Sequence, residues 1–523
     1  MWKLYFLIWL NYISLLLAAI CLLLLTVSFT RKQRKRFPFL NKLNGKQIHL
    51  SVAVIVFSGL GYGAYIYKES VSTGLSFELS YGPGFSQAEK ATSNGIDIEL
   101  RQSAAERNQE AKDYFISGER NFQNKKYSEA VDNYQQSLNI MPTLSAYLNL
   151  ALSLRYLSKY KEAEPVLLQG LQLARRRGER RYEGLLLLTL GAVFFSQDKR
   201  PEADDTLRRS LEILREVGDK LGEANAILDI GVNTHAAGKP NEALPRYQEA
   251  LKLFQDMNNI LGQGNALNNI GNVYIDRFNL AEALATYQSA LEKFREIDHL
   301  LGQALVIGNM GDVYNYQGKY QDALNSYQSG IEMAKKIKSS ETQARLTADI
   351  GEIYNQQGKF DDALPVEEQA LEIEKQSNVP YIRVHAHNRM ADAYLGKGML
   401  PQALEQAQMA LDISKNNQVY PYVQAETLNA FGEIYLQQKQ TDKALRFFEE
   451  ALNICNSAQV TSPKLRSLRG IGTTYLEIGR KEDALTYLRQ AQEIYKNAGI
   501  DSSDSRKIQD LISQVDDTKL IPR

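Results

Sequence analysis

Cysteine is nearly missing: Cys21 and Cys455 are the only two in 523 residues. They lie far apart in sequence, which argues against a disulfide framework and leaves no paired-cysteine zinc spacing. Histidine is also scarce, with five in all. His385 and His387 are two apart, so on a helix they point in different directions, while His235 and His299 stand alone. No HExxH, GxSxG or Walker A loop occurs anywhere in the chain. Neither sign of charge dominates, with 61 Lys and Arg against 61 Asp and Glu. A nucleic-acid binder usually carries a basic surplus, so that class is disfavoured. The expectation is a protein with no metal, no cofactor, no small-molecule substrate and no catalytic residues, which is not an enzyme.

What is present falls into two unlike parts. Residues Leu4 to Phe29 contain no Asp, Glu, Lys or Arg, enough to cross a bilayer as a helix of about 20 residues. A second uncharged run covers Ile48 to Tyr67. A cleaved signal peptide fits the first run poorly, because Met1-Trp2-Lys3 is a short n-region and the apolar core is too long. Ile20 before Cys21 is a poor match to a lipoprotein box. The loop between the runs holds RKQRKR at 31–36, Lys42 and Lys46, with no acid. Basic loops stay in the cytoplasm and attract anionic lipid. The expectation is therefore an integral membrane anchor at 1–67, with helices at about 4–29 and 48–67 and the basic loop at 30–47. With two spans, expected in the plasma membrane, everything after the anchor lies on the non-cytoplasmic side; with one span it lies in the cytoplasm. Gly59 and Gly63 form a weak GxxxG pair. Residues 68–109, with Gly82-Pro83-Gly84, read as a linker.

The rest is periodic. An alanine recurs at Ala130, Ala163, Ala203, Ala243, Ala283, Ala323, Ala363, Ala403, Ala444 and Ala484, mostly 40 residues apart. Twelve residues before each stands a small residue: Gly118, Ala151, Gly191, Gly231, Gly271, Gly311, Gly351, Ala391, Gly432 and Gly472. Three residues after the small position an aromatic recurs, as at Tyr274, Tyr314 and Tyr354. Apolar residues at helical spacing make each unit a pair of amphipathic helices. The small residue in helix A and the alanine in helix B let the two helices approach closely, and larger side chains there would force them apart. Gly238-Lys239, Gly318-Lys319 and Gly358-Lys359 supply the turn. Pro201, Pro240 and Pro401 open helix B, where a missing N–H does no harm. Asp198 and Lys439 stand where other units have the turn glycine, which weakens those two turns.

The small–x2–Tyr of helix A and the Ala283-Leu284…Tyr287…Ala290-Leu291 of helix B resemble the tetratricopeptide-repeat family. The period, and Leu-Gly before several helices (Leu221-Gly222, Leu261-Gly262, Leu301-Gly302), look like its longer-repeat, kinesin-light-chain-like branch, a style shared with many bacterial multi-repeat proteins. The resemblance implies an all-α superhelical solenoid of ten repeats over 110–498, then a capping helix and tail over 499–523. It also implies that helix A lines a concave groove where peptides or partner proteins dock.

Two inward positions follow from the resemblance. The position after the small residue reads Asn272, Asp312, Glu352, Asp392 and Glu433. Two before it stand Asn149, Asp229, Asn269, Asn309 and Asp349. Asparagine amides both donate and accept, so they can hold a peptide backbone. The acids imply a negative stripe for a partner of basic character, or else ordinary solvated groups paired with lysines. Arg175, Arg176, Arg177, Arg180 and Arg181 form a basic cluster at an inter-repeat turn, read chiefly as solvated. The functional expectation is a membrane-tethered scaffold or adaptor for protein partners; the alternative is a regulatory or sensor subunit whose solenoid responds to a ligand.

Overall fold

The computed structural model describes residues 109–517, except positions 198, 378, 417 and 418, all within the unit Ser76–Arg523. The expected membrane segments, basic loop and linker lie outside these residues. Among the described residues no helix is long and apolar enough to cross a membrane.

Twenty-one helices and no strands make up the described part. They pair as A and B: α1 Gln109–Gln123 with α2 Tyr127–Ile140, α3 Leu144–Tyr156 with α4 Tyr160–Arg177, α5 Arg180–Ser196 with α6 Arg200–Glu216, α7 Lys220–Ala236 with α8 Pro240–Asp256, and α9 Ile260–Asp276 with α10 Leu280–Glu296. The series continues with α11 Leu300–Tyr316 and α12 Tyr320–Ile337, α13 Ser340–Gln356 and α14 Phe360–Glu374, and α15 Pro380–Gly396 and α16 Leu400–Asn416. It ends with α17 Pro421–Gln437 and α18 Thr441–Ala458, α19 Ser462–Glu477 and α20 Lys481–Asn497, and the single helix α21 Ser503–Asp517.

Local chemistry explains the boundaries. Asp219, Asn259, His299 and Ser339 occupy the same place in four successive repeats, and each side chain accepts the N–H three residues on. The glycine that donates in three of them also makes room: a Cβ on Gly262 would lie 2.3 Å from the Phe254 ring. Helix A ends in a left-handed residue, as at Gly318 with φ 72°. Lys439, expected to weaken its turn, adopts φ 59° and makes the same turn as the glycines, as does Phe278 at φ 60°. A left-handed residue without glycine costs about 1–2 kcal/mol, and among the described turns between helices A and B four carry that cost, at Lys125, Ser158, Phe278 and Lys439.

In five of the repeats the small residue, at Gly118, Gly231, Gly271, Gly311 and Gly432, sits over an aromatic of helix B. Tyr247, Tyr287 and Tyr327 are fully buried beneath Gly231, Gly271 and Gly311. A Cβ on Gly271 would meet the Tyr287 ring at 2.4 Å. Gly271→Leu should therefore cost about 1–3 kcal/mol by overpacking; an unchanged thermal midpoint would contradict this close packing.

Contacts between distant repeats were not expected. The corner between α18 and α19 lies against the ends of α7 and α9. Thr461 Oγ1 donates to the Asp276 carbonyl at 2.8 Å, and Asn241 Nδ2 donates to Gln459 Oε1. Gly238 faces Ala458, whose Cβ would lie 2.9 Å from a Cβ placed on that glycine. The Phe278 and Tyr495 rings meet edge-on at 6.0 Å. Arg200 lies 5.7 Å from the Tyr420 ring centroid. The cap helix α21 buries Ile508, Ile512 and Val515 in the same core as Phe278 and Leu280, and Tyr320 shares a hydrogen bond with Ser503. Repeats four to nine thus close into a ring, with one superhelical turn touching the next.

Candidate functional site: the lumen of repeats four to nine

The ring encloses a cavity of about 260 Å³. Its wall is built by positions six before, two before, one after and five after the small residue of helix A. Those spacings of four, three and four put all of them on one helical face. Asn269, Asn272, Asn309, Asp312, Asp349 and Glu352 line it together. Asn149, Asp229, Asp392 and Glu433 do not line this cavity.

The acids are paired, and the pairing groups are arginines rather than lysines. Arg389 donates to Asp349 at 3.0 Å and to Glu352 at 2.7 Å. Arg345 lies 3.8 Å from Asp312 and 3.6 Å from Asp349. Beyond the cavity, Arg466 bridges Asp392 and Glu433, and Arg469 joins Glu433 at 3.2 Å. Sequence reading overlooked the column six residues before the small position, which holds Arg345, His385, Glu426 and Arg466. It also overlooked that Arg389 fills the same column as Asn309 and Asp349. The spacing of four residues from Arg345 to Asp349 was the available signal.

The asparagines form their own chain. Asn309 donates to Asn268 at 2.9 Å and to Asn272 at 3.3 Å, and accepts from Arg345 at 3.2 Å. The buried hydroxyls anchor this chain from below: Tyr287 donates to Asn272 at 2.6 Å and Tyr327 to Asp312 at 2.8 Å. Two histidines complete the wall, His235 Nε2 at 2.5 Å from Asp276 and His385 Nδ1 at 3.1 Å from Glu426. Tyr381, Tyr420 and Tyr422 add an aromatic side, with the last two rings stacked at 5.8 Å.

Burial sets the protonation of these groups. It pushes Asp312 up to about 7, helped by repulsion from Asp349 and opposed by Arg345. Burial likewise takes Asp229 up to about 8, with Arg155 pulling the other way. At Glu433 burial is outweighed by Arg466 and Arg469, which hold the carboxyl down at about 2. Burial pushes the Cys455 thiol up to about 12, so it is no nucleophile at neutral pH. The basic cluster on the repeat two–three turn is engaged in ion pairs: Arg175 and Arg180 with Glu183, and Arg181 with Asp219.

Tetratricopeptide-repeat family models match residues 142–216, 182–256, 262–336, 381–457 and 423–497, and a further one matches 309–380. The chain belongs to the tetratricopeptide-repeat family. No curated protein matches it. Among solved structures, the tetratricopeptide solenoid is similar to a Rap protein complexed with competence and sporulation factor, at 16% identity over 67% of this chain and 98% of that one, with a TM-score of 0.51. It also matches the apo form of the quorum sensor NprR from B. thuringiensis, at 16% identity over 67% of this chain and 98% of that one, with a TM-score of 0.45. Yeast Tom70 matches at 15% identity over 78% of this chain and 96% of that one, with a TM-score of 0.38. The likeness to the Rap protein shows the shared fold.

Proposed function

We propose that this tetratricopeptide-repeat protein is a membrane-tethered scaffold, without enzymatic activity, that holds a peptide or an extended segment of a partner protein in the lumen of repeats four to nine. The observation that carries this is the cavity wall itself, where six side chains named from the repeat pattern converge on one space. At about 260 Å³ the space is near the small end of ligand pockets, roughly 300 Å³ and up. An extended chain is narrower than a helix, which with its side chains is about 10 Å across, and is the occupant this small space favours. The surplus of carboxylates over arginines on the wall favours a partner of basic character. The tether rests on the uncharged runs at 4–29 and 48–67, and the basic loop at 30–47 supports a two-span anchor in contact with anionic lipid, with the repeats outside the cytoplasm. The 40-residue period further suggests the kinesin-light-chain-like branch.

A photoreactive residue at Leu305, which lines the lumen, should form adducts with a polypeptide in native membranes, whereas one at the exposed Met409 should not. Equal labelling from both positions would remove the lumen as the binding site. A reporter active only outside the cytoplasm, fused after Arg523, should be active; a stable but inactive fusion would discard the two-span arrangement. The sensor reading also has a specific support: the contacts between Ala458–Thr461 and the ends of α7 and α9 must break if a ligand alters the curvature of the solenoid.

A further inference from the structure

Closure of the ring and folding of the repeats rest on different contacts. Each repeat buries its helices against its neighbours in the chain, as a solenoid does. The seam instead joins repeats far apart in the chain, side chain by side chain. The α18–α19 corner sets Thr461 on the Asp276 carbonyl and Gln459 on Asn241. The α20–α21 corner makes a second dock, on the A–B turns of repeats five and six. There the Phe278 and Tyr495 rings meet at 6.0 Å, and the Tyr320 and Ser503 hydroxyls share a hydrogen bond of 3.1 Å. A Cβ on Gly318 would lie 3.9 Å from that of Ser502. Parting these docks leaves each repeat packed on its neighbours, so opening the ring is a separate transition from unfolding.

Phe278 marks the dock that matters most. It stands at the A–B turn of repeat five, where repeats four, six, seven and eight carry Gly238, Gly318, Gly358 and Gly398. Its φ of 60° is a conformation that glycine takes freely and a residue with a Cβ takes at a cost. A turn that served only its own repeat would be better built with glycine. The other side chains at this place and in this conformation, Lys125, Ser158 and Lys439, are exposed. Phe278 is buried, at 4% exposed, between Tyr316 of the next repeat at 5.4 Å and Tyr495 of repeat ten. Leu280, two residues on, lies in the same core as Leu485, Leu488, Ile508 and Ile512. Uncommon backbone held in place by long-range packing is a usual mark of a switch or clamp. Tyr316 also lines the lumen, so the residue that closes the seam touches the wall of the cavity.

We propose that the ring is an openable closure with Phe278 as its latch. Seated against Tyr495, it holds repeat ten on repeats five and six; withdrawn, it lets the solenoid spread and bares the lumen along its side. Access to the lumen is then a regulated property, because displacing Tyr316 from within also loosens the seat of Phe278. The latch belongs to the ring whether or not a peptide occupies the lumen, so it does not depend on the reading above.

The test uses the full-length protein in detergent micelles, with spin-labelled unnatural amino acids at the exposed Glu282 on α10 and Glu482 on α20, which leaves Cys455 in place. Pulsed EPR of the otherwise wild-type protein should give a dominant short distance. Phe278→Gly should shift the ratio of open to closed about ten- to a hundredfold towards open, the loss of one buried aromatic side chain. A second, longer distance should then appear while the helical circular dichroism stays the same. Adding Gly318→Cys and Ser502→Cys tests the latch by rescue, since the two Cβ atoms would sit within the roughly 3.5–4.5 Å of a disulfide. Oxidation should restore the short distance, and reduction should release it again. A single short distance in Phe278→Gly overturns the latch. A broad distribution that oxidation does not narrow means that repeat five has come apart, and overturns it as well. Loss of polypeptide labelling at Leu305 with this rescue intact would discard the peptide reading and keep the latch.

Discussion

Glu367→Tyr should stabilise the solenoid strongly above neutral pH and much less near pH 4. In repeats four to six the residue beneath the small position is a buried tyrosine, but in repeat seven it is Glu367, with no exposed surface and neither carboxyl oxygen hydrogen-bonded. Burial raises its pKa well above the ordinary carboxylate value; Arg389 opposes this, and Asp349, Glu352 and Asp392 add to it. A carboxyl whose folded pKa is raised holds its proton more tightly in the native state. Its contribution is therefore intact below the unfolded value near 4.5 and is lost as pH rises towards the folded value, at about 1.4 kcal/mol per pH unit within that window. Tyrosine removes this loss. It also restores the packing seen under Gly311, and its hydroxyl would fall at Glu352, as that of Tyr287 falls at Asn272 and that of Tyr327 at Asp312. Thermal unfolding of both proteins at pH 4 and pH 8 measures the effect. A gain that does not grow with pH would show that Glu367 is not protonated in the fold. Asp229, raised to about 8, obeys the same sign, and Asp229→Asn should help between pH 4 and pH 8.

Arg466→Met should have the opposite outcome. The Arg466 guanidinium reaches from α19 to Asp392 on α15 and Glu433 on α17, tying repeats eight, nine and ten together. Its side chain is 20% exposed, and those of its partners 27% and 22%. Removing one member of a buried ion pair costs about 3–5 kcal/mol, and this partial exposure brings the expectation to about 2–4 kcal/mol. Glu433, held down at about 2, stabilises the fold fully above its unfolded value near 4.5 and loses that contribution as pH falls towards 2. The gap between variant and wild type should thus be widest at pH 7 and shrink below pH 4.5. A pH-independent gap would mean the arginine acts through packing alone.

Much of the molecule was legible in the residues, and the limit of that legibility has a physical location. The helix pairs, the Gly271–Tyr287 type of contact and the turns depend on residues within one repeat or its neighbour. A period of 40 residues repeats those local requirements in plain view. The inward columns beginning at Asn269 and Asn272 could be named for the same reason, since one helix face is fixed by spacings of three and four. The partners of those columns could not be named. Arg389 meets Glu352 one repeat back, and Arg466 meets Asp392 across 74 residues, so a stripe of acids in the sequence becomes, in the fold, a set of carboxylates sharing fewer arginines.

The sequence by itself determined that the described region is a tetratricopeptide solenoid, where several of its turns fall, and which face of helix A looks inward. Tertiary structure alone decided that repeats four to nine close into a ring, that Thr461 lands on Asp276, and that Arg345 and Arg389 share the carboxylates of the lumen. The reason is cumulative: each repeat adds a small rotation to the one before, set by side-chain packing too fine to read from any single unit. Whether the far end returns to touch the near one depends on the sum of those rotations.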